Sequence, residues 1–116
     1  MRQNNRAIGT IGEDIACKYL KNNGYNIIDR NYRCRHGEID IIAIHDEYIV
    51  FVEVKYRKDA MKGYPSEAVG YYKQQRIINT AIYYAKIKGL FNSNIRFDIV
   101  EIVNNKIRVI KNAFTL

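Results

Sequence analysis

The chain has 116 residues, enough for one domain around a single core, with little room for a separate specificity domain. Its 19 Lys and Arg against 12 Asp and Glu give a net charge of +7, which points to a polyanionic partner. Met1–Thr10 lacks the apolar core of a secretory leader, no stretch approaches the roughly 18 apolar residues of a membrane span, and the two cysteines form no C-x-x-C. The expectation is a soluble, cytoplasmic protein with no disulfide framework, no zinc site and no membrane partner.

The first element expected is a helix from about Thr10 to Asn22, with Ile11, Ile15, Ala16, Tyr19 and Leu20 at helical spacing and Gly24 as its stop. Thr10-Ile-Gly-Glu13 matches a capping box, in which Glu13 bonds back to the Thr10 backbone. Glu13 also lies on the strip holding Ala16, Cys17 and Leu20, from which it can look toward a sheet. Cap and site carboxylate both stand as readings of Glu13.

Tyr25–Tyr32 reads as a strand, followed by the basic turn Arg33-Cys34-Arg35-His36-Gly37. Next come two runs rich in Ile, Val and aromatics, Gly37–Ile44 and Tyr48–Tyr56, separated by His45-Asp46-Glu47. They read as a hairpin with Asp46-Glu47 as its loop and His45 facing Tyr48. That register sets Asp40 opposite Glu53 and Glu38 opposite Lys55. Alternation then puts Glu38, Asp40, Ile42 and Ile44 on one face with Ile49, Phe51, Glu53 and Lys55, and Ile39, Ile41, Ala43, Val50, Val52 and Val54 on the other.

Two opposed carboxylates repel each other, so a cation belongs between them. Lys55 supplies one positive charge; Mg²⁺, bound through one or two carboxylates plus water and phosphate, satisfies the arrangement more fully. A structural Asp/Glu/Lys cluster closing the hairpin is the alternative. Arg33, Arg35, Arg57 and Lys58 flank the acids on both sequence sides and read as phosphate contacts. His36 and His45 read as loop residues.

A loop at Asp59–Pro65 precedes a second helix, which ends at Lys88 before Gly89 and carries Ile77, Ile78, Ala81, Ile82 and Ala85 on one face. Lys73, Gln74, Gln75 and Arg76 are expected in the turn before it, where Lys73 and Arg76 could track a phosphate backbone. Tyr71, Tyr72, Tyr83 and Tyr84 read as packing residues in preference to base-stacking ones. Strands at Ile95–Val103 and Lys106–Lys111 complete the chain, joined at Asn104-Asn105, with Arg96 and Asp98 paired on one face. The order α-β-β-β-α-β-β over residues 1–116 is that of an α/β domain with a central mixed sheet flanked by helices.

Gly9-x-x-Gly-Glu-Asp-x-Ala16, Gly37-Glu-Ile-Asp-Ile-Ile-Ala43, Val52-Glu-Val-Lys55, the Lys73–Arg76 segment and Ile95-Arg-Phe-Asp-Ile-Val100 span nearly the whole chain. With these residues the chain resembles the PD-(D/E)xK nucleases, and within them the bacterial YraN-like, endonuclease-related family. The resemblance implies a restriction-endonuclease-like fold, similar to archaeal Holliday junction resolvases. It further implies that Asp40 and Glu53 ligate Mg²⁺ or Mn²⁺, that Glu13 completes or supports that site, and that Lys55 orients or helps deprotonate the attacking water. The Pro of the motif is Ile39 here. The implied activity is metal-dependent hydrolysis of structured DNA, by a homodimer if both strands of a junction are cut; a nucleic-acid-binding module with the same fold and no meaningful turnover is the alternative.

Overall fold

The computed structural model describes residues 2–57, 70–90 and 92–116. The elements are α1 (Arg2–Asn22), β1 (Asn26–Cys34), β2 (Gly37–His45), β3 (Tyr48–Arg57), α2 (Tyr71–Ile87), β4 (Asn94–Val103) and β5 (Lys106–Phe114). Their order is the one read from the sequence. The strands form one mixed sheet in the order β1-β2-β3-β4-β5, antiparallel except for the β3–β4 pair. Parallel neighbours require a crossover, and α2 lies within the one joining β3 to β4.

Each face of the sheet has its own core. Ile42, Ile49, Phe51, Phe97 and Ile99 pack with Ile77, Ile78, Ala81 and Tyr84 of α2. Ile41, Ala43, Val50, Val52, Val100 and Ile102 pack with Ala16, Cys17 and Leu20 of α1. Burial of a side chain such as Phe51 or Phe97 contributes roughly 1.5–3 kcal/mol, so both helices are held mainly by their apolar stripes.

Helix ends obey local chemistry. Gly24 (φ 88) closes α1 with Tyr25 N donating to Leu20 O at 3.0 Å, and Gly89 (φ 69) closes α2 with Leu90 N donating to Ala85 O at 2.7 Å. Both are the left-handed C-terminal cap that glycine adopts without steric cost. The start of α1 differs from expectation: the helix begins at Arg2, which places Thr10 in its interior, so Thr10 and Glu13 do not form a capping box. Arg2–Gly9 has no apolar periodicity to announce a helix, although most of its residues tolerate one.

Other local expectations are corrected in the same way. Ile11 and Ile82 are 51% and 47% exposed, whereas Tyr84 is buried and takes the place expected of Ile82. Lys73–Arg76 belong to the first turns of α2 rather than to a preceding turn. Strand β5 continues past Lys111 to Phe114, and His45 is a buried strand residue. Lys58 and the loop expected at Asp59–Pro65 lie outside the described residues. Among the described residues no helix is long and apolar enough to cross a membrane.

The β2–β3 register is His45↔Tyr48, Ile44↔Ile49, Ala43↔Val50, Ile42↔Phe51 and Ile41↔Val52. The two-residue turn Asp46-Glu47 has both residues at positive φ (50° and 68°), the geometry whose twist matches a hairpin. Beyond Ile41 alternation breaks, because Ile39 joins the α2-side core instead of the α1-side core expected for it. The break falls at Asp40.

Candidate active site at the end of the β2–β3 ladder

Where the paired backbone ends, side chains take over. An Oδ of Asp40 accepts from the backbone N–H of Val54 at 2.8 Å, so the carboxylate holds β2 against β3 just past their last register pair. Asp40 also shares a hydrogen bond with Glu53, which is 6% exposed at the end of the same ladder. Two cations converge on a single oxygen of Glu53: Lys55 Nζ at 3.3 Å along β3, and Lys73 Nζ at 3.1 Å from α2. Glu38, Asp40, Glu53, Lys73, Arg76 and Ile77 line a cleft of about 150 Å³ over this cluster.

The electrostatics result from that crowding. Burial, then the charge of Glu53, then the shared hydrogen bond push the Asp40 carboxyl up to about 8, against the smaller opposing effect of the Val54 N–H. Asp40 therefore tends to keep its proton at neutral pH and can place it in the hydrogen bond to Glu53. Glu13 adds a further repulsive contribution to Asp40. Its own carboxyl is raised by burial, against hydrogen bonding from Asn31 and the charge of Arg30.

Glu13 reaches the cluster from α1 because Gly12, the preceding residue, lets the helix approach β3 closely. A Cβ at Gly12 would lie 2.9 Å from Tyr56 Cβ, closer than such atoms come. Gly37 serves the opposite flank. It has φ 150 and sits under α2, where an added Cβ would meet Thr80 Oγ1 at 3.1 Å.

Asn31 was not legible as a site residue. It lies between Arg30 and Tyr32, which pair with Ile41 and Ile39, so it faces Asp40 across the β1–β2 ladder. Its φ of 53 is left-handed, a conformation Asn tolerates better than most residues. The consequence is a local break in alternation. Arg30 reaches α1 with contacts to Asp14 at 2.8 Å and Glu13 at 3.7 Å, and the next residue, Asn31, also reaches Glu13. Glu101 was missed as well. It is 1% exposed, is in register with Lys55 across β3–β4, and accepts from Arg108 at 2.8 Å.

The other expected residues lie at varying distances from the acids. Glu38 does not stand by Lys55 but pairs with Arg33, its β1–β2 neighbour, at 2.6 Å. Arg35 and Arg76 are exposed, Arg76 at the cleft, and Arg57 ends β3. Tyr71 and Tyr72 are 69% and 83% exposed, so the packing role expected of them belongs to Tyr84. Among the described residues no three of His, Cys, Asp and Glu converge as a metal-holding group. The donors that meet are Asp40 and Glu53, an oxygen pair that could hold a hard divalent ion whose other positions keep water.

Across the sheet lies a separate polar lattice. Arg96 donates to both oxygens of Asp98 at 2.9 Å and lies 2.8 Å from His45 Nδ1, and Tyr25 OH donates to Asp98 at 2.8 Å. The Tyr25 and His45 rings stack with centroids 3.9 Å apart. The expected Arg96–Asp98 pair is thus present and is the centre of a buried network.

A mixed five-stranded sheet with a helix on each face, and carboxylates and lysines gathered where β2 and β3 part, matches the architecture read from the sequence. Residues 12–102 match Uncharacterised protein family UPF0102, and the chain belongs to that family. It is 51% identical to a UPF0102 protein of Lachnoclostridium phytofermentans over 96% of this chain and 95% of that one. It is also 51% identical to one of Clostridium perfringens, over 88% and 84% respectively. Among solved structures, a repair endonuclease from Pyrococcus abyssi is similar at 22% identity and a TM-score of 0.38, over 69% of this chain and 28% of that one. A likeness that distant assigns neither activity nor substrate.

Proposed function

We propose that this chain is a metal-dependent endonuclease of the PD-(D/E)xK type, with a restriction-endonuclease-like fold, that hydrolyses phosphodiester bonds in branched or junction-like DNA. The observation that carries the reading is the meeting of Asp40 with Glu53, whose oxygen Lys55 and Lys73 share. Two acids drawn together and compensated by lysines are an arrangement that a divalent ion would also satisfy.

Asp40 and Glu53 would hold Mg²⁺ or Mn²⁺, with Glu13 supporting from α1. Such an ion supplies Lewis-acid charge and acidifies water. To ligate such an ion Asp40 would have to be in its carboxylate form, its proton released to solvent. Lys55, held 3.3 Å from Glu53, would orient the attacking water and neutralise charge on the phosphoryl oxygens. The water oxygen bonds to phosphorus as one of its protons passes to bulk water, the bond from phosphorus to the leaving sugar oxygen breaks, and that oxygen takes up a proton from bulk water. Lys73 and Arg76, at the cleft, meet the flanking phosphates.

One observation favours a second reading. The salt bridges of Lys55 and Lys73 occupy Glu53, and no third ligand joins the two acids among the described residues. A nucleic-acid-binding module that retains the fold without turnover has this arrangement too. Labelled four-way junction, flap, duplex and single-stranded DNA, incubated with Mg²⁺, Mn²⁺ or EDTA beside Asp40→Ala, separate the two. Cleavage that needs metal and vanishes in the variant is expected; binding without cleavage in any metal would establish the module instead.

A further inference from the structure

Beyond Lys55, β3 ends in a pocket that the carboxylate cluster does not use. Tyr56 and Arg57, with Asn104 and Asn105 of the β4–β5 turn, line a cavity of about 310 Å³. The Arg57 Nε is buried and has no hydrogen-bond partner among the described residues. A guanidinium donor without a partner among the described residues is unfavourable, and a shift of the Arg57 side chain toward an anion in the cavity would satisfy it.

The turn forms one wall of that cavity. Asn104 and Asn105 both have positive φ, 52° and 64°, as a tight hairpin turn requires. Glycine is the usual second residue of such a turn. Asparagine there brings a second side-chain amide, with donors and an acceptor, to the pocket wall. Arg57 is in register with Val103, the residue preceding the turn.

Position completes the case. Along β3, Arg57 lies two residues past Lys55 and on the same face, a step of about 7 Å. The pocket also sits at the carboxyl ends of the one parallel strand pair, where open α/β sheets place ligands. A strand laid over Glu53 and Lys55 that continues along β3 runs into it.

We propose that Arg57, Asn104 and Asn105 form a nucleotide subsite, which takes a phosphodiester of the bound strand next to the one over Asp40 and Glu53. This rests on the nuclease reading above. The guanidinium fork grips the phosphate through Nε and a terminal nitrogen, and the two amides bond the adjoining sugar or base edge.

The test measures binding, not cleavage. Fluorescein-labelled single-stranded DNA and a labelled four-way junction are titrated in EDTA over a salt series, against wild type, Arg57→Gln, Arg57→Lys and the pair Asn104→Gly with Asn105→Gly, each first shown to melt cooperatively. Arg57→Gln should weaken binding about tenfold and lower the salt slope by about one. Arg57→Lys should restore the slope and not the affinity, and the glycine pair, which keeps the turn, should weaken binding without changing the slope. Full rescue by lysine, or unchanged binding by Arg57→Gln and the glycine pair, overturns the subsite. If wild type binds and those variants match it, the subsite alone falls; if wild type binds neither probe, the nuclease reading falls with it.

Discussion

The Nζ of Lys73, on α2, lies 3.1 Å from Oε2 of Glu53, on β3, so one ion pair ties the crossover helix to the carboxylate cluster. Lys73 is 46% exposed in its side chain, and a pair that wet contributes little to stability, about 0–1 kcal/mol. Its importance is competition: a cation that enters must displace it. Lys73→Gln should therefore melt within a few degrees of wild type, bind Mn²⁺ more tightly in a calorimetric titration, and cut DNA roughly tenfold more slowly once its phosphate contact is gone. Weaker Mn²⁺ binding by this variant would show that the lysine does not compete for Glu53.

Asp40 predicts a pH dependence with a definite sign. Its carboxyl stands at about 8 in the folded chain against 3.8 when unperturbed. From about pH 4 to about pH 8 the folded chain keeps a proton that the unfolded chain has released, so stability falls as pH rises through that window and is lowest above it. Asp40→Asn should abolish this fall and stabilise the chain above pH 8 by roughly 2 kcal/mol, a buried-charge penalty discounted for partial solvent access. In wild type, Mn²⁺ affinity should rise with pH up to about 8. Melting curves in EDTA at pH values either side of the window decide it, and an identical pH slope in the variant would refute the assignment.

Asn31 has two separable roles, a left-handed backbone and an amide on Glu13. Asn31→Gly keeps the first and loses the second; Asn31→Ala loses both. The alanine variant should be the less stable of the two by about 1 kcal/mol, the cost of a left-handed conformation without glycine. Both variants should weaken Mn²⁺ binding and raise the pH at which it is half-maximal. Equal stabilities by chemical denaturation would mean that β1 relaxes to ordinary alternation.

The lattice behind the sheet should matter to folding rather than to chemistry. Tyr25→Phe removes the hydroxyl that bonds Asp98 and Arg96, at 2.8 and 3.0 Å. Loss of a hydrogen bond to a buried charge costs about 1.5–3 kcal/mol. Urea denaturation should show that loss, with metal affinity unchanged. A change in metal affinity would mean that the lattice communicates with the acids through β4.

Much of the fold was legible from side chains alone. Period-two alternation and a two-residue turn set the His45–Tyr48 pairing and brought Asp40 beside Glu53, and the i, i+2 spacing of Arg96 and Asp98 placed them on one face. What failed to show has a backbone origin. The left-handed φ at Asn31 and the parity break at Asp40 leave no trace in hydrophobic pattern, so Asn31 went unnoticed and Ile39 was given the wrong face. Glu101 sits inside an apolar strand, where its partner Arg108 can be found only once β4 and β5 are paired. Helix α1 began early because polar residues form helices without announcing them.

The Arg96–Asp98–Tyr25 lattice faces α1, whereas the Glu53 carboxylate and its two lysines face α2. The buried lattice and the lysine-paired Glu53 thus stand on opposite sides of the same strands, with Glu13 approaching the acids from α1. Selection can act on each side separately: a descendant could lose its acids one by one and still fold, and another could strengthen its scaffold without disturbing the acids. If the acids act as proposed, relatives with this sheet are best sorted by what stands at positions 13, 40, 53 and 55, since the scaffold alone does not report chemistry.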